Sequence, residues 1–389
     1  MRKEKYLMAG NKQPPLDPPI KIGPDDDLAT ELMKAGFDVA YDEHSGSLFF
    51  GKPGSNFPKS ADVYELQTVN DHYAIIPKPS EIKEYLDMFV IGQESAKEAV
   101  SVALCNHLYR TVFNTIEMGD AKNADKRIKK SNLMFIGDSG VGKTYIIELA
   151  CKFLGIPFIL VDATRFSAAG YVGSNVEEIL TLLYLKAGRN LVDAQEGIVF
   201  IDEFDKLAQS SSNDKDVNTA QVQFGLLKMV EGCSMNVPRG SGHHSGDIDF
   251  DTTETLFVFS GSFGGMSSKK SAGPENSFGF LGESRTHVPE ITEEDILKYG
   301  IIPEILGRIG HYIQLQALTE EQLKLILINP NNGPVEQAKK MFKLRFPKKK
   351  FPLTDKDYSD IIKKAIESKL GARGLAREVQ QRMVKHYYE

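Results

Sequence analysis

The sequence predicts an α/β fold in which a parallel sheet is flanked by helices and followed by a small, mostly helical C-terminal domain. Three observations carry this. Short apolar runs at residues 133–136, 158–161, 197–201 and 255–259 alternate with helical patterns, as strands buried on both faces do. A glycine-rich turn stands between the first of these strands and a helix. After Arg308 the pattern turns helical, over residues 319–327, 334–342, 355–367 and 372–388.

Residues 1–28 are rich in proline, glycine and charge and read as a flexible leader. A short helix is expected over residues 27–37, then a hairpin over 39–51 turning at His44, Ser45 and Gly46. Residues 57–79 read as linker with a strand or two. Ser80 is an N-cap for the next helix. Ala96, Ala99, Val100, Ala103, Leu104 and Leu108 recur at the spacing of a helix with one buried face. A polar stretch, 119–130, ends in five residues of which four are basic. The expected division is a module of unread chemistry at 1–75, a large α/β domain at 76–314 and a small helical domain at 315–389.

Composition narrows the function. The 389 residues carry 47 Lys and Arg against 53 Asp and Glu, a net charge of −6, which argues against a general nucleic-acid coat. The apolar share of 41% and charged share of 26% are those of a soluble globular chain. Cys105, Cys151 and Cys233 stand far apart, so neither a disulfide scaffold nor a cysteine-built zinc site is expected, and a reducing cytoplasm is the simplest location. The N-terminus lacks the apolar core of a secretory signal, and no run reaches the roughly 20 residues of a membrane span. The basic runs at 126–130 and 345–351 read as solvated faces, so neither a membrane nor a nucleic-acid partner is expected.

The turn Gly137-Asp138-Ser139-Gly140-Val141-Gly142-Lys143-Thr144 matches G-x-x-x-x-G-K-S/T between strand and helix, the context of a phosphate-binding P-loop. Its glycines let backbone N–H groups point at phosphate oxygens, and the helix N-terminus adds positive potential. Lys143 is placed for the β and γ phosphates of ATP and the Thr144 hydroxyl for Mg2+. Further on, an apolar strand ends in Asp202 and Glu203. Asp202 suits Mg2+ through its water shell, and Glu203 suits a general base for the attacking water.

Four further strings complete a pattern. Val90, Ile91 and Gly92 close an apolar segment before a helix; Gly170-Tyr171-Val172-Gly173 puts an aromatic and a valine between glycines, which suits a mobile loop tip; residues 300–308 end in Arg308; and Gly371-Ala372-Arg373-Gly374-Leu375 opens the last helix. With these, residues 79–389 resemble the ClpX-type AAA+ unfoldases, the ATP-binding subunits of the Clp protease. The resemblance implies an AAA+ P-loop fold and a homohexameric ring that threads unfolded or tagged proteins through its pore to a ClpP-like peptidase. It implies that Val90, Ile91 and Gly92 pack on adenine, that Tyr171 and Val172 grip the client, and that Arg308 reaches a neighbour's γ-phosphate. It also implies that Arg373 contacts phosphate as sensor 2, with Ser260 a candidate for sensor 1. Phe278-Gly279-Phe280, on a long Gly- and Ser-rich stretch, stand where the family presents its peptidase-docking tripeptide.

Two departures stand out. No cysteine precedes Cys105, so the family's N-terminal zinc domain is absent or replaced, and no zinc is expected. The family's basic second pore loop has no clean counterpart; Arg239, His243 and His244 occupy its region. The related HslU carries a large insertion that the short interval between Gly173 and Gly197 excludes. A DNA-acting AAA+ motor predicts basic pore residues in place of Tyr171 and Val172. A stand-alone remodelling chaperone without a peptidase remains an open alternative.

Overall fold

The computed structural model describes residues 38–42, 47–51, 73, 75–118, 125–168, 172–208, 216–240, 246–264 and 291–388. The leader, the helix expected at 27–37 and most of the expected linker lie outside them. Strands β1 (Asp38–Asp42) and β2 (Ser47–Gly51) pair antiparallel, with Asp42 opposite Ser47, as the hairpin pattern predicts. Two compact units divide the chain, one of residues 1–77 and 112–125, the other of residues 78–111 and 126–389. Every described site residue lies in the second.

That unit opens with α1 (Pro79–Asp87) and α2 (Glu94–Val112). The first helix starts two residues earlier than the expected Ser80 cap implies: Lys78 takes the cap position and Pro79, with its φ pre-set, the first turn. Then follow β3 (Asn132–Ile136), α3 (Lys143–Leu154), β4 (Phe158–Asp162), α4 (Thr164–Ala168), α5 (Val172–Lys186), α6 (Leu191–Gln195), β5 (Ile198–Asp202) and a 3-10 turn (Phe204–Leu207). Next come α7 (Asp216–Glu231), the antiparallel pair β6 (Ser234–Pro238) and β7 (Asp247–Asp251), β8 (Leu256–Gly261), α8 (Glu293–Tyr299), α9 (Pro303–Leu306) and β9 (Ile309–Gln314).

Five strands form one parallel sheet in the order β4-β5-β8-β3-β9. The inner strands β3 and β8 are buried at every residue, and β5 at all but its last, because helices cover both faces. Strand β9 corrects the expectation that only helices follow Arg308. As an edge strand it buries only Ile313 fully and exposes Gly310 and His311, so its sequence lacks the apolar run of its neighbours. On one face Met134, Ile136, Val199, Ile201, Phe257 and Phe259 meet Leu180 and Leu183 of α5, Leu226 and Met229 of α7, and Ile305 of α9. A buried side chain of this kind contributes about 1.5–3 kcal/mol.

Four helices follow: α10 (Glu320–Leu327), α11 (Pro334–Arg345), α12 (Asp355–Glu367) and α13 (Gly371–Tyr388). They enclose their own apolar cluster, built around Leu323, Leu327, Phe342, Ile361, Leu375 and Val379. The basic runs are not uniformly solvated. The Arg345 guanidinium stands 5.1 Å over the Tyr387 ring and 5.6 Å over Phe346, so these aromatic faces already hold a cation.

Lys130 departs further from a solvated face. Its ammonium donates to Thr252 O at 2.7 Å and Met229 O at 3.4 Å and stands 4.7 Å over the Phe257 ring. Burial, reinforced by the Arg110 guanidinium, lowers it to about 7. An unfolded lysine holds its proton to about 10.5, so between these values the unfolded chain binds more protons and stability rises with pH. Below that window this residue adds no slope. Lys130→Met is expected to remove the rise; urea midpoints measured across pH 7 to 10.5 check it, and an unchanged slope contradicts the enclosed position.

Candidate functional site

At the carboxyl end of β3 the chain leaves the sheet at Gly137, whose N–H donates to Gly261 O of β8 at 3.2 Å. The turn closes because Gly140 (φ +77°) and Gly142 (φ +105°) adopt left-handed backbone that side chains disfavour. Helix α3 then begins at Lys143, whose Nζ donates to Gly137 O at 2.6 Å and Asp138 O at 2.9 Å, holding the amine over the loop. Burial lowers the Lys143 ammonium below the ordinary lysine value, while Asp202 and then Asp205 pull it back.

The neighbouring carboxylates come from β5. Thr144 Oγ1 donates to Asp202 Oδ2 at 3.4 Å, so a hydroxyl and a carboxylate converge beside the loop. These hard oxygens, with the lysine and the loop backbone, fit a magnesium-bearing nucleotide. Asp202 Oδ1 accepts the Glu203 N–H at 2.9 Å. Glu203 is exposed and left-handed, φ +55°, a strain of order 1–3 kcal/mol of the kind that functional sites retain. Asp205 is buried and accepts the Ser262 hydroxyl at 2.8 Å. Ser260, the sensor-1 candidate, lies inside β8 and is fully buried; Ser262 is the serine that follows the strand.

The third wall comes from the C-terminal helices. Ala372 N–H donates to Gly140 O at 3.1 Å, and Arg373 Nη1 donates to Ser139 Oγ at 3.3 Å. A Cβ on Gly140 would overlap the Leu370 carbonyl oxygen. Val90 is buried, Ile91 half-buried, and Gly92 is left-handed at φ +72°. The loop between α10 and α11 reaches this segment: Asn331 Nδ2 donates to Met88 O at 2.7 Å, and Asn332 to Phe89 O at 3.5 Å and to the Tyr145 hydroxyl. The structure therefore brings Val90, Ile91, Gly92, residues 137–144, Asp202, Glu203 and Arg373 around one cradle.

Arg308 is not part of it. Its carbonyl accepts Asn132 Nδ2 at 2.9 Å, at the start of β3, while Gly137 follows the strand's end. Five strand residues at roughly 3.3 Å each separate the two ends by about 16 Å. The Arg308 guanidinium, half exposed, donates to Glu231 Oε1 at 2.6 Å, a surface pair worth about 0–1 kcal/mol and easily exchanged.

Two glutamines that no sequence motif singled out tie these parts together. Gln223 of α7, fully buried, donates to Leu207 O at 2.7 Å and Gly300 O at 3.3 Å and accepts the Ile302 N–H at 2.9 Å, linking the turn after Asp202 to the segment that ends in Arg308. Gln93 makes a similar clasp beside the P-loop. The signal in sequence is weak, since only a polar residue within an apolar surrounding marks either one. Gly170, Tyr171, His243, His244, Phe278, Gly279 and Phe280 lie outside the described residues. Val172 and Gly173 start α5, and Arg239 N–H donates to Gly246 O at 3.1 Å at the connected end of the β6–β7 pair.

The sequence of this chain is similar to those of known proteins. A family profile described as AAA domain (Cdc48 subfamily) matches residues 128–312. The ATP-dependent Clp protease ATP-binding subunit ClpX of Bacteroides thetaiotaomicron is 39% identical over 329 residues, covering 81% of this chain and 77% of its own. That of Treponema denticola is 38% identical over 335 residues, covering 82% and 79%. The ClpX 2 subunit of Wolinella succinogenes is 37% identical over 321 residues, covering 81% and 78%. No helix among the described residues is long and apolar enough to cross a membrane.

The close fit of Gly140 against residue 370 yields a test. Gly140→Ala adds a strained φ and a steric overlap with main chain, so it is expected to weaken ADP binding by roughly tenfold or more while the far-ultraviolet circular dichroism is retained. Wild-type affinity in that variant, read with a fluorescent ADP analogue, contradicts the geometry.

Proposed function

Because the chain belongs to the ClpX family of AAA+ ATPases, we propose that it is a protein unfoldase that threads clients through a ring of six subunits and feeds a ClpP-type peptidase. Bound ATP with Mg2+ supplies the phosphoanhydride whose cleavage drives the cycle. Lys143, Arg373 and the loop 137–144 hold the phosphates. Thr144 and Asp202 provide the oxygens that Mg2+ takes, directly or through water. Glu203 Oε accepts the proton of the attacking water. Val90 and Ile91 provide the apolar face for the base, and Gly92 lets the loop approach it.

The observation that carries the ring is the position of Arg308. It stands at the opposite end of the sheet from its own P-loop, on an exposed and weakly held guanidinium. Such a group serves a phosphate only when a second copy of the chain presents one, which is the arginine-finger arrangement. Hydrolysis at a site walled partly by α13 then alters how the C-terminal helices sit on the sheet. In this reading that motion drags Tyr171 and Val172 along the pore, Phe278, Gly279 and Phe280 dock the peptidase, and client choice rests partly on Arg239, His243 and His244.

Two variants test the proposal. Glu203→Gln is expected to bind ATP, assemble and retain clients without turnover, with hydrolysis down by roughly 100-fold or more. Tyr171→Ala is expected to hydrolyse ATP but fail to unfold a tagged fluorescent protein. Loss of fluorescence at the wild-type rate with Tyr171→Ala, or normal turnover with Glu203→Gln, contradicts the assignment. Unfolding without any degradation on adding a ClpP-type peptidase points to the stand-alone chaperone.

A further inference from the structure

Gln93 occupies the point where the base loop, the P-loop and the start of the C-terminal segment meet. It precedes α2, and its carbonyl accepts the Lys97 N–H at 2.9 Å. Its φ is +58°, a backbone that a non-glycine residue keeps only where its surroundings hold it, and its side chain is buried. Nε2 donates to Gln316 O at 2.7 Å and, at 3.4 Å, to Val141 O of the P-loop. Oε1 accepts the Gln316 N–H at 3.0 Å. One side-chain amide thus pairs with both backbone groups of a residue 223 positions away, as a strand neighbour would.

The residue it grips is where the chain leaves the sheet. Leu315 N–H still donates to Ile136 O at 2.8 Å beside β3; Gln316 no longer does, and α10 begins at Glu320. The grip extends along the segment. A Cβ on Gly92 would overlap the Gln322 side chain of α10, and Gln322 is itself fixed by exchange of bonds with Thr319. From the other side, the buried Lys97 ammonium donates to Val90 O at 3.3 Å and to Glu94 Oε1 at 2.7 Å and pairs with Asp87, anchoring the base loop on α2. A loop held this firmly at one edge transmits displacement at the other.

We propose that Gln93 is a positioning residue whose amide locks the Gln316 connection to the P-loop and base loop, so that nucleotide occupancy sets the angle of the C-terminal helices. The inference rests on the nucleotide-site reading above. Without the amide, the Gln316 N–H and C=O lose buried partners and the connection loses its fixed direction. A merely structural cap of α2 would affect stability and leave that angle alone.

The experiment places spin labels at exposed sites, Lys152→Cys on α3 and Lys363→Cys on α12, in the full chain with its own three cysteines replaced by serine or alanine. Distance distributions are recorded with and without ADP. Gln93→Leu removes every side-chain bond, and Gln93→Glu keeps the acceptor while losing the donor, so one stands if the other fails to fold. Both are expected to broaden the nucleotide-free distribution and weaken ADP binding roughly tenfold, with the wild type narrowed by ADP and the variants not. A folded variant with wild-type distributions overturns the proposal, even if its urea midpoint falls. A wild-type chain that binds no ADP overturns the nucleotide-site reading instead, and the nucleotide-free distributions still decide the clasp.

Discussion

The bond from Ala372 N–H to Gly140 O, in a space that admits no side chain, is the constraint on which this molecule turns. A P-loop on a parallel sheet binds phosphate with its own backbone. Here the middle of that loop also carries the first turn of the last helix. The Arg373 side chain reaches Ser139 only because that turn is seated there. The P-loop is therefore in contact with two structural layers at once, the sheet it leaves and the helix that begins at Gly371.

The sheet distributes the remaining chemistry to its two ends. Lys143, Thr144, Asp202 and Glu203 sit at the carboxyl ends of β3 and β5, where ligands of open α/β sheets gather. Arg308 sits at the amino end of β3, beyond reach of its own loop. Gln223 joins the turn after Asp202 to residues 300 and 302, so the two ends are not independent. Burial lowers the Lys143 ammonium, and the Asp202 and Asp205 carboxylates oppose that shift.

What sequence discloses follows from how local each feature is. Strands β3, β5 and β8 are readable because burial on both faces demands continuous apolar residues; β9 is not, because an edge strand buries one side chain in six. Strands β6 and β7 do alternate, S-M-N-V-P and D-I-D-F-D, with Val237 of the first and Ile248 and Phe250 of the second buried, but they form a two-stranded pair of their own outside the main sheet. The phosphate loop is readable because backbone cradling needs contiguous residues. Gln93 and Gln223 are not, since their partners lie 223 and 77 to 79 residues away and any buried amide would look the same. Lys130 reads as one cation in a basic run until residues 229 and 252 close over it.

The most direct measure of the central claim is amide hydrogen exchange across the Gly140 contact, recorded on the full chain with and without a non-hydrolysable ATP analogue. The account predicts that nucleotide slows exchange in residues 137–144 and, together with them, in the first turn of α13 at residues 371–375. Protection confined to the P-loop, with α13 exchanging as before, would contradict it.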